Sequence, residues 1–449
     1  MTAAREIFGT WDAPERKGAE GRLRVDEDGR ITLELRRAIP EASLPLAVLH
    51  GHLGDGAPAT LLDVDILRDD PGADHYVQEH LVATALLGLD LPDPGAPVLS
   101  RGEARIAGLE QVVGGSGLSL QTSDITRREA AFARIEWRQS TPLEVRSPGG
   151  TLVLVDHTRF EHDSWFRFVL EHRVLARYSA EGDAIGFERM QEIFDVLCAF
   201  VSFAYEARVG VDSLHVTGST GGPGAECLID YRPRHGPPLG ETEAWLTLSA
   251  LSDPAEALAG FYRFHAEQPS AYLILFEYLV FAAQLNAIDK LLYLARFLEV
   301  YHRTADPRER DPPEVQKERK ALVREALGRE HKAWGNQILR HSNEITFKER
   351  VVELLEGPAG AAKPILGATP TRFARLLGDC RNYWTHYSPE EKRKALFDGA
   401  LDEFDDRVLL VVRACILDHI GVPTPEAQRC LEVDWRWKRR AGTPLEQPR

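Results

Sequence analysis

Gly21-Arg22-Leu23-Arg24-Val25, Asp26-Glu27-Asp28-Gly29, Arg30-Ile31-Thr32-Leu33-Glu34-Leu35 is the stretch that decides the fold of the N-terminal half. Leu23 and Val25 alternate with polar or charged neighbours, and so do Ile31, Leu33 and Leu35. A period of two puts each apolar set on one face of a strand. The Asp-Glu-Asp-Gly connection ends in a residue that tolerates positive φ, so the two runs read as a hairpin. Further strands are expected at Thr60–Leu67, Val77–Leu86, Arg105–Val112, Phe132–Trp137, Thr151–Val155 and Phe166–Ala176. Glycine- and proline-rich punctuation separates them at 54–56, 93–95, 114–117 and 148–150. Many short strands with turns between them predict an antiparallel sandwich or barrel.

The period then changes. In Phe187–Tyr205, Met190, Ile193, Phe194, Leu197, Phe200 and Val201 fall at helical spacing. Short strands are expected at Ser213–Val216, Glu226–Asp230 and Trp245–Leu248. The loop 218–224 lacks the Gly-Lys-Ser/Thr ending of a phosphate cradle. From about Asp253 the pattern is helical, with helices expected at Ala271–Ala287, Ile288–Arg303, Glu314–Leu339, Thr371–His386 and Pro389–Ile420. The last is expected to break near Asp398-Gly399. Helix after helix with short links predicts a bundle. The fold class is therefore α+β and multidomain: a β-rich region over 1–252, an all-α region over 253–426, and a basic, aromatic tail over 427–449.

Composition narrows the function. The 449 residues suit two or three domains, and 43% apolar with 27% charged residues is the balance of a globular protein. A net charge of −15 argues against coating long nucleic acid over a broad surface, but leaves room for a local basic site. Two stretches are locally basic: 301–350, and Trp435-Arg436-Trp437-Lys438-Arg439-Arg440. The bland reading makes these a solvated helix face and a frayed tail. Met1–Lys17 is polar, so no signal peptide is expected. The longest apolar run, Ala271–Ala283, contains Glu277 and is too short to span a membrane. The five cysteines are scattered, with no Cys-x-x-Cys, which suggests free thiols in a cytoplasm.

Metal-binding patterns are weak. His157 and His162 lie five apart on an expected strand and so face opposite ways. His50 and His52 share a face, but two ligands do not define a site. There is no His-Glu-x-x-His and no Gly-x-Ser-x-Gly. No cofactor is expected.

The candidate site is Arg381-Asn382-Tyr383-Trp384-Thr385-His386. Arginine offers a fixed fork of donors for phosphate oxygens, and histidine can move a proton near neutral pH. Asn382 and His386 are four apart and share a helix face; Arg381 lies off that face but is long. Ser388-Pro389-Glu390-Glu391 reads as a capping box that starts the next helix, whose free N–H groups favour an anion. The spacing also suits a surface arginine and a histidine capping its own helix. An Arg–His pair at that separation recurs at Arg167 and His172. Glu299, ending an apolar helix, is most simply a partner for a nearby arginine.

Asp379-Cys380-Arg381-Asn382-Tyr383-Trp384-Thr385-His386-Tyr387 resembles the Arg-Asn-x-x-x-His motif of HEPN domains, specifically the ApeA-like group. The Leu/Val-rich helix ending Ile420-Gly421-Val422-Pro423 and the segment Leu298–Arg303 are similar to parts of the same family. Gly9-Thr10-Trp11-Asp12-Ala13-Pro14, with Gly21-Arg22-Leu23 and Phe194–Val211, resembles its companion N-terminal domain. The resemblance implies a metal-independent endoribonuclease of anti-phage, abortive-infection defence, with a sensor or regulatory N-terminal domain. It implies His386 as general acid/base for attack by an RNA 2′-hydroxyl, Arg381 as stabiliser of the phosphate charge, and Asn382 as an orienting group. Glu299 and Asp379 would position Arg381. The implied partners are RNA (tRNA among the candidates), a second copy of the chain and a phage-derived protein trigger, with no membrane. A non-catalytic HEPN module that binds RNA or protein, with a ligand-sensing β domain, is the alternative. A carbohydrate- or ligand-binding β domain with a helical dimerisation tail is a third reading.

Overall fold

A computed structural model describes residues 4–13, 16–27, 29–36, 44–70, 77–114, 118–122, 133–137, 141–164, 167–219, 224–229, 244–328, 331–340 and 342–445. Asp28 of the expected hairpin turn, Phe132, Phe166, loop residues 115–117 and 220–223, and the side chains of His162 and Asp163 lie outside them. The chain forms two compact units, Met1–Tyr262 and Arg263–Arg449.

The first unit begins with six strands: β1 Arg5–Ala13, β2 Arg16–Val25, β3 Ile31–Leu35, β4 Leu46–Leu53, β5 Pro58–Asp70 and β6 Val77–Leu87. Every pairing is antiparallel, and the order β1–β2–β3–β6–β5–β4 returns to β1. This closed barrel has no free edge among its six strands, which removes the edge that would template aggregation. The Gly21–Leu35 hairpin has the expected register, with Leu23 opposite Leu33 and Val25 opposite Ile31. These side chains fill the barrel with Leu49, Leu61, Val64 and Val82. β1 reads as polar in sequence, yet it carries the largest core side chain, the fully buried Trp11. The indole fits because its neighbour on β4 is Gly51; a Cβ there would run into the ring.

Through β6 the same sheet continues beyond the barrel. Its first half pairs with β3 and its last residues with β14 Ala225–Ile229. The order continues through β13 Val211–Gly218, β7 Leu99–Ile106, β12 Arg167–Ala180, β11 Gly150–Ser164 and β10 Leu143–Ser147. A separate hairpin joins β8 Leu118–Thr122 to β9 Ala133–Trp137. Helix α1, Leu109–Val113, occupies part of the strand expected over Arg105–Val112, because Gly108 at φ 73° turns the chain out of β7. Helix α2, Phe187–Tyr205, buries the whole predicted stripe from Met190 to Val201 against β7 and β13. Gly102 of β7 lets Met190 and Phe194 approach the sheet backbone. Trp245–Leu248 is not a strand. Trp245 is buried instead, donating from Nε1 to the Phe203 carbonyl at 2.7 Å.

The remaining elements are helical: α3 Pro254–Glu267, α4 Pro269–Phe281, α5 Ala287–Ala305, α6 Pro313–Ala326, α7 Lys332–Leu339, α8 Phe347–Glu356, α9 Pro370–His386, α10 Asp398–His419, α11 Thr424–Val433 and α12 Trp435–Arg440. The helix expected over Glu314–Leu339 is two, broken after Ala326 where Leu327 turns extended before Gly328. Helix α10 is apolar nearly all round. Within one chain every residue from Arg407 to Leu417 is buried, with α5, α11 and α12 packed around the helix. Exposed large apolar side chains instead include Leu273, Phe281, Leu322, Trp334 and Ile338.

The tail is not frayed over 427–440. Cys430, Leu431 and Trp437 are buried. Arg413 of α10 makes an ion pair with Asp434, both almost fully buried, and Asp434 also accepts the Arg436 backbone N–H at 2.7 Å to cap α12. No helix among the described residues is long and apolar enough to cross a membrane.

Candidate active site

Helix α9 starts at a Thr369 cap followed by Pro370, and buries Phe373, Leu376, Leu377, Cys380 and Tyr383. That stripe, spaced three and four apart, fixes the rotation of the helix and so decides where Arg381, Asn382 and His386 point. The Cys380 thiol is held inside, accepting the Leu396 N–H at 3.3 Å, and burial pushes its pKa up to about 12. It is therefore no nucleophile at neutral pH.

Arg381 reaches α5. Its Nη2 donates to Glu299 Oε2 at 2.6 Å, and its guanidinium lies over the Phe347 ring, 4.9 Å from the centroid. Glu299 also accepts from Arg303 at 3.3 Å. The acid and the ring fix the plane of the fork, while Nη1 and Nε have no partner among the described residues. Asn382 is half-buried and His386 exposed, and neither side chain is hydrogen-bonded to a described residue. They stand one turn apart, about 6 Å along the axis.

The end of α9 is made by Tyr387, left-handed at φ 52°, whose N–H donates to the Tyr383 carbonyl at 2.6 Å. A tyrosine there is strained by about 1 kcal/mol. Rings hold it: Tyr383, Trp384, Tyr387 and Phe397 make mutual edge contacts with centroids 4.8–5.9 Å apart. This cluster fixes the terminus that presents His386.

Two expectations need correction. Asp379 does not position Arg381, since no hydrogen bond or ion pair joins them. Residues two apart on a helix face roughly opposite ways. Asp379 instead takes Lys348 of α8 at 2.6 Å, with Arg375 at 4.0 Å. Second, Ser388 does not cap a helix over 389–397. The chain makes a turn and one short helical turn at Lys392–Lys394, and α10 begins at Asp398. Residues 388–394 have no apolar side to bury; burial resumes at Ala395 and Leu396. That turn presents exposed Lys392, Arg393 and Lys394 a few residues beyond His386. This basic run, legible in the sequence, was not singled out. Nor were Phe347 and Lys348, although Thr346-x-x-Glu349 is a capping-box signature and the reciprocal box is present.

Next to Glu299 on α5, His302 is buried. Arg350 donates to its Nδ1 at 3.0 Å, so Nε2 carries the proton and donates to Glu353 at 2.8 Å. His302, Asp306 and Glu353 have ligand atoms close enough to hold a metal ion. Arg308 already pairs with both carboxylates, at 3.0 and 2.7 Å, and His302 uses both nitrogens, so the donor set fits a closed ion-pair network better. His50 and His52 share the outer face of β4 as expected, and His50 pairs with Asp90 at 2.8 Å.

Residues 292–426 match the family model described as Apea-like HEPN. The match lies within the C-terminal helical unit, which is similar there to an Apea-like HEPN domain. The matched range includes Glu299, Arg381, Asn382 and His386, and all of α6 to α10. A HEPN domain points to a nuclease or RNA-binding module. No curated protein and no solved structure matches the chain.

Proposed function

We propose that the HEPN domain is an endoribonuclease, with Arg381, Asn382 and His386 as its catalytic residues. The observation that carries this reading is the arrangement at the end of α9. Arg381 is fixed by Glu299 with donors to spare, while Asn382 and His386 are free on one face beside the basic turn 392–394. In the proposed step the 2′-oxygen bonds to the adjacent phosphorus and the bond to the 5′-oxygen breaks. His386 takes the 2′-hydroxyl proton or supplies one to the leaving oxygen. Arg381 stabilises the charge growing on the phosphoryl oxygens. The donor set is cationic and neutral, so the chemistry needs no metal.

One histidine serves two proton transfers poorly, and a second copy of the domain would bring a second His386. We therefore propose a homodimer as the active form. The resemblance to ApeA-like proteins supports a role in anti-phage defence, with the β-rich region as sensor or regulator and a phage-derived protein as trigger. A non-catalytic RNA-binding module is the competing reading, favoured by the engagement of Arg381 with Glu299. Total RNA and purified tRNA, incubated with wild type and His386→Ala, separate the two. Cleavage with 2′,3′-cyclic phosphate and 5′-hydroxyl ends, lost in the variant, supports the ribonuclease. RNA retention without cleavage by either protein supports the binding module.

A further inference from the structure

Asp405 on α10 is 6% exposed, and neither carboxylate oxygen has a hydrogen-bond partner among the described residues. A buried carboxyl without donors is costly and calls for an explanation. Asp405 lines a cavity of about 720 Å³ between α10, Lys290 of α5 and α12, a size that takes a small molecule. The other carboxylates here divide into two sets. Glu403 and Asp406 are satisfied by Arg440 at 2.8 and 3.0 Å, and Asp406 also by Arg436 at 3.1 Å. Asp398, Asp402 and Arg439 are exposed at the rim, and Lys290 is half-buried near enough to Asp405 to act on its charge; none of the four makes an ion pair among the described residues. The start of α10 at Asp398–Ala400 lines the same cavity and has no side-chain cap.

The chemistry of the missing occupant follows. Once ionised, Asp405 offers two acceptor oxygens, which match two adjacent N–H donors on one rigid edge. A single metal ion fits poorly, because the Asp398, Asp402 and Asp405 oxygens are not gathered closely enough to form a metal-holding group. Lys290, Arg439 and the uncapped helix start offer charge to an anion. The exposed indole of Trp435, one face of which meets Arg436, borders the cavity.

We propose that this cavity binds a small molecule carrying a guanidine-type N–H donor edge, received by Asp405, and an anionic group, received by Lys290 and Arg439. Two kinds of molecule have that chemistry: a guanine nucleotide and free arginine. Burial, and then Asp402, push the Asp405 pKa up to about 9, so the carboxyl gives up its proton as the donor edge arrives.

Titration calorimetry on the full chain tests this with guanosine 5′-monophosphate and arginine as probes. Adenosine 5′-monophosphate, whose edge has one donor and one acceptor, and agmatine, which lacks the anionic group, are the controls. The expected result is binding of one probe below about 1 mM, with its control at least about tenfold weaker. Asp405→Asn is expected to weaken it at least about tenfold, and Lys290→Ala to weaken it as well. If Asp405→Asn does not fold by circular dichroism, Asp405→Ser replaces it as the donor-end variant. Absence of binding by both probes at millimolar concentration overturns the proposal. So does equal binding of probe and control, or a donor-end variant that binds like wild type.

Discussion

Arg381 of α9 and Glu299 of α5, 82 residues apart in sequence, meet at 2.6 Å. The pair ties the candidate catalytic arginine to the first helix of the matched HEPN range. Both side chains are partly exposed, so the contact adds at most about 1 kcal/mol to stability. Its consequence is orientation. Arg381→Ala and His386→Ala are expected to lower RNA cleavage by about 10²- to 10⁴-fold while shifting stability by under about 1 kcal/mol. Glu299→Gln keeps one acceptor but loosens the fork, so a smaller loss is expected. Cleavage rates and urea midpoints measured on the three variants check this. A Glu299→Gln loss as large as that of His386→Ala would make Glu299 a participant in the chemistry.

Asp379 separates stability from catalysis. It sits two residues before Arg381 in the motif, yet faces Lys348 and is 8% exposed. Asp379→Ala leaves the ammonium without its closest partner and is expected to cost about 1–3 kcal/mol. Cleavage per folded molecule should stay within a few-fold of wild type. Activity normalised to the folded fraction gives the answer; a hundredfold loss in fully folded protein would restore Asp379 to the site.

The alternation of Leu23, Val25, Ile31 and Leu33 made the β-rich fold legible, because a half-buried strand must repeat every two residues. The choice between a sandwich and a closed barrel was not legible. It depends on β1 and β4, and β1 is polar apart from Ile7, Phe8 and Trp11. The positions of Arg381, Asn382 and His386 followed from motif and helical stripe. The partners did not all follow, because they come from other helices: Glu299 was readable as a helix-end acid, whereas Phe347 and Lys348 sit on a short helix announced only by Thr346 and Glu349. The capping reading at Ser388 failed because a cap signature without an apolar face behind it does not make a helix.

The Arg413–Asp434 pair predicts how the C-terminus is held. Both groups are about 2% exposed, so removing one leaves the other charged and desolvated. Asp434→Ala is expected to destabilise the helical unit by about 3–5 kcal/mol, and it also removes the α12 cap. Replacing both with apolar residues, Arg413→Met with Asp434→Leu, should recover much of that loss. Denaturant melts of single and double variants measure the coupling; additive losses would show that the pair is not the cause.

Asp405 predicts a pH dependence of unusual sign. Burial, then Asp402, pushes its carboxyl up to about 9, against about 4 in an unfolded chain. Between those values the folded protein holds a proton that the unfolded chain has lost. Stability from this group is therefore fully present below about pH 4 and falls as pH rises toward 9, by up to about 1.4 kcal/mol per unit. Asp405→Asn cannot ionise, so its stability should fall less steeply than that of wild type from pH 5 to 9. The two curves should diverge steadily as pH rises, with the variant relatively more stable at pH 8 than at pH 5. Urea melts at four or five pH values across the window decide it. Parallel curves would mean that Asp405 is ionised and solvated in the folded protein, and that its oxygens are satisfied by water.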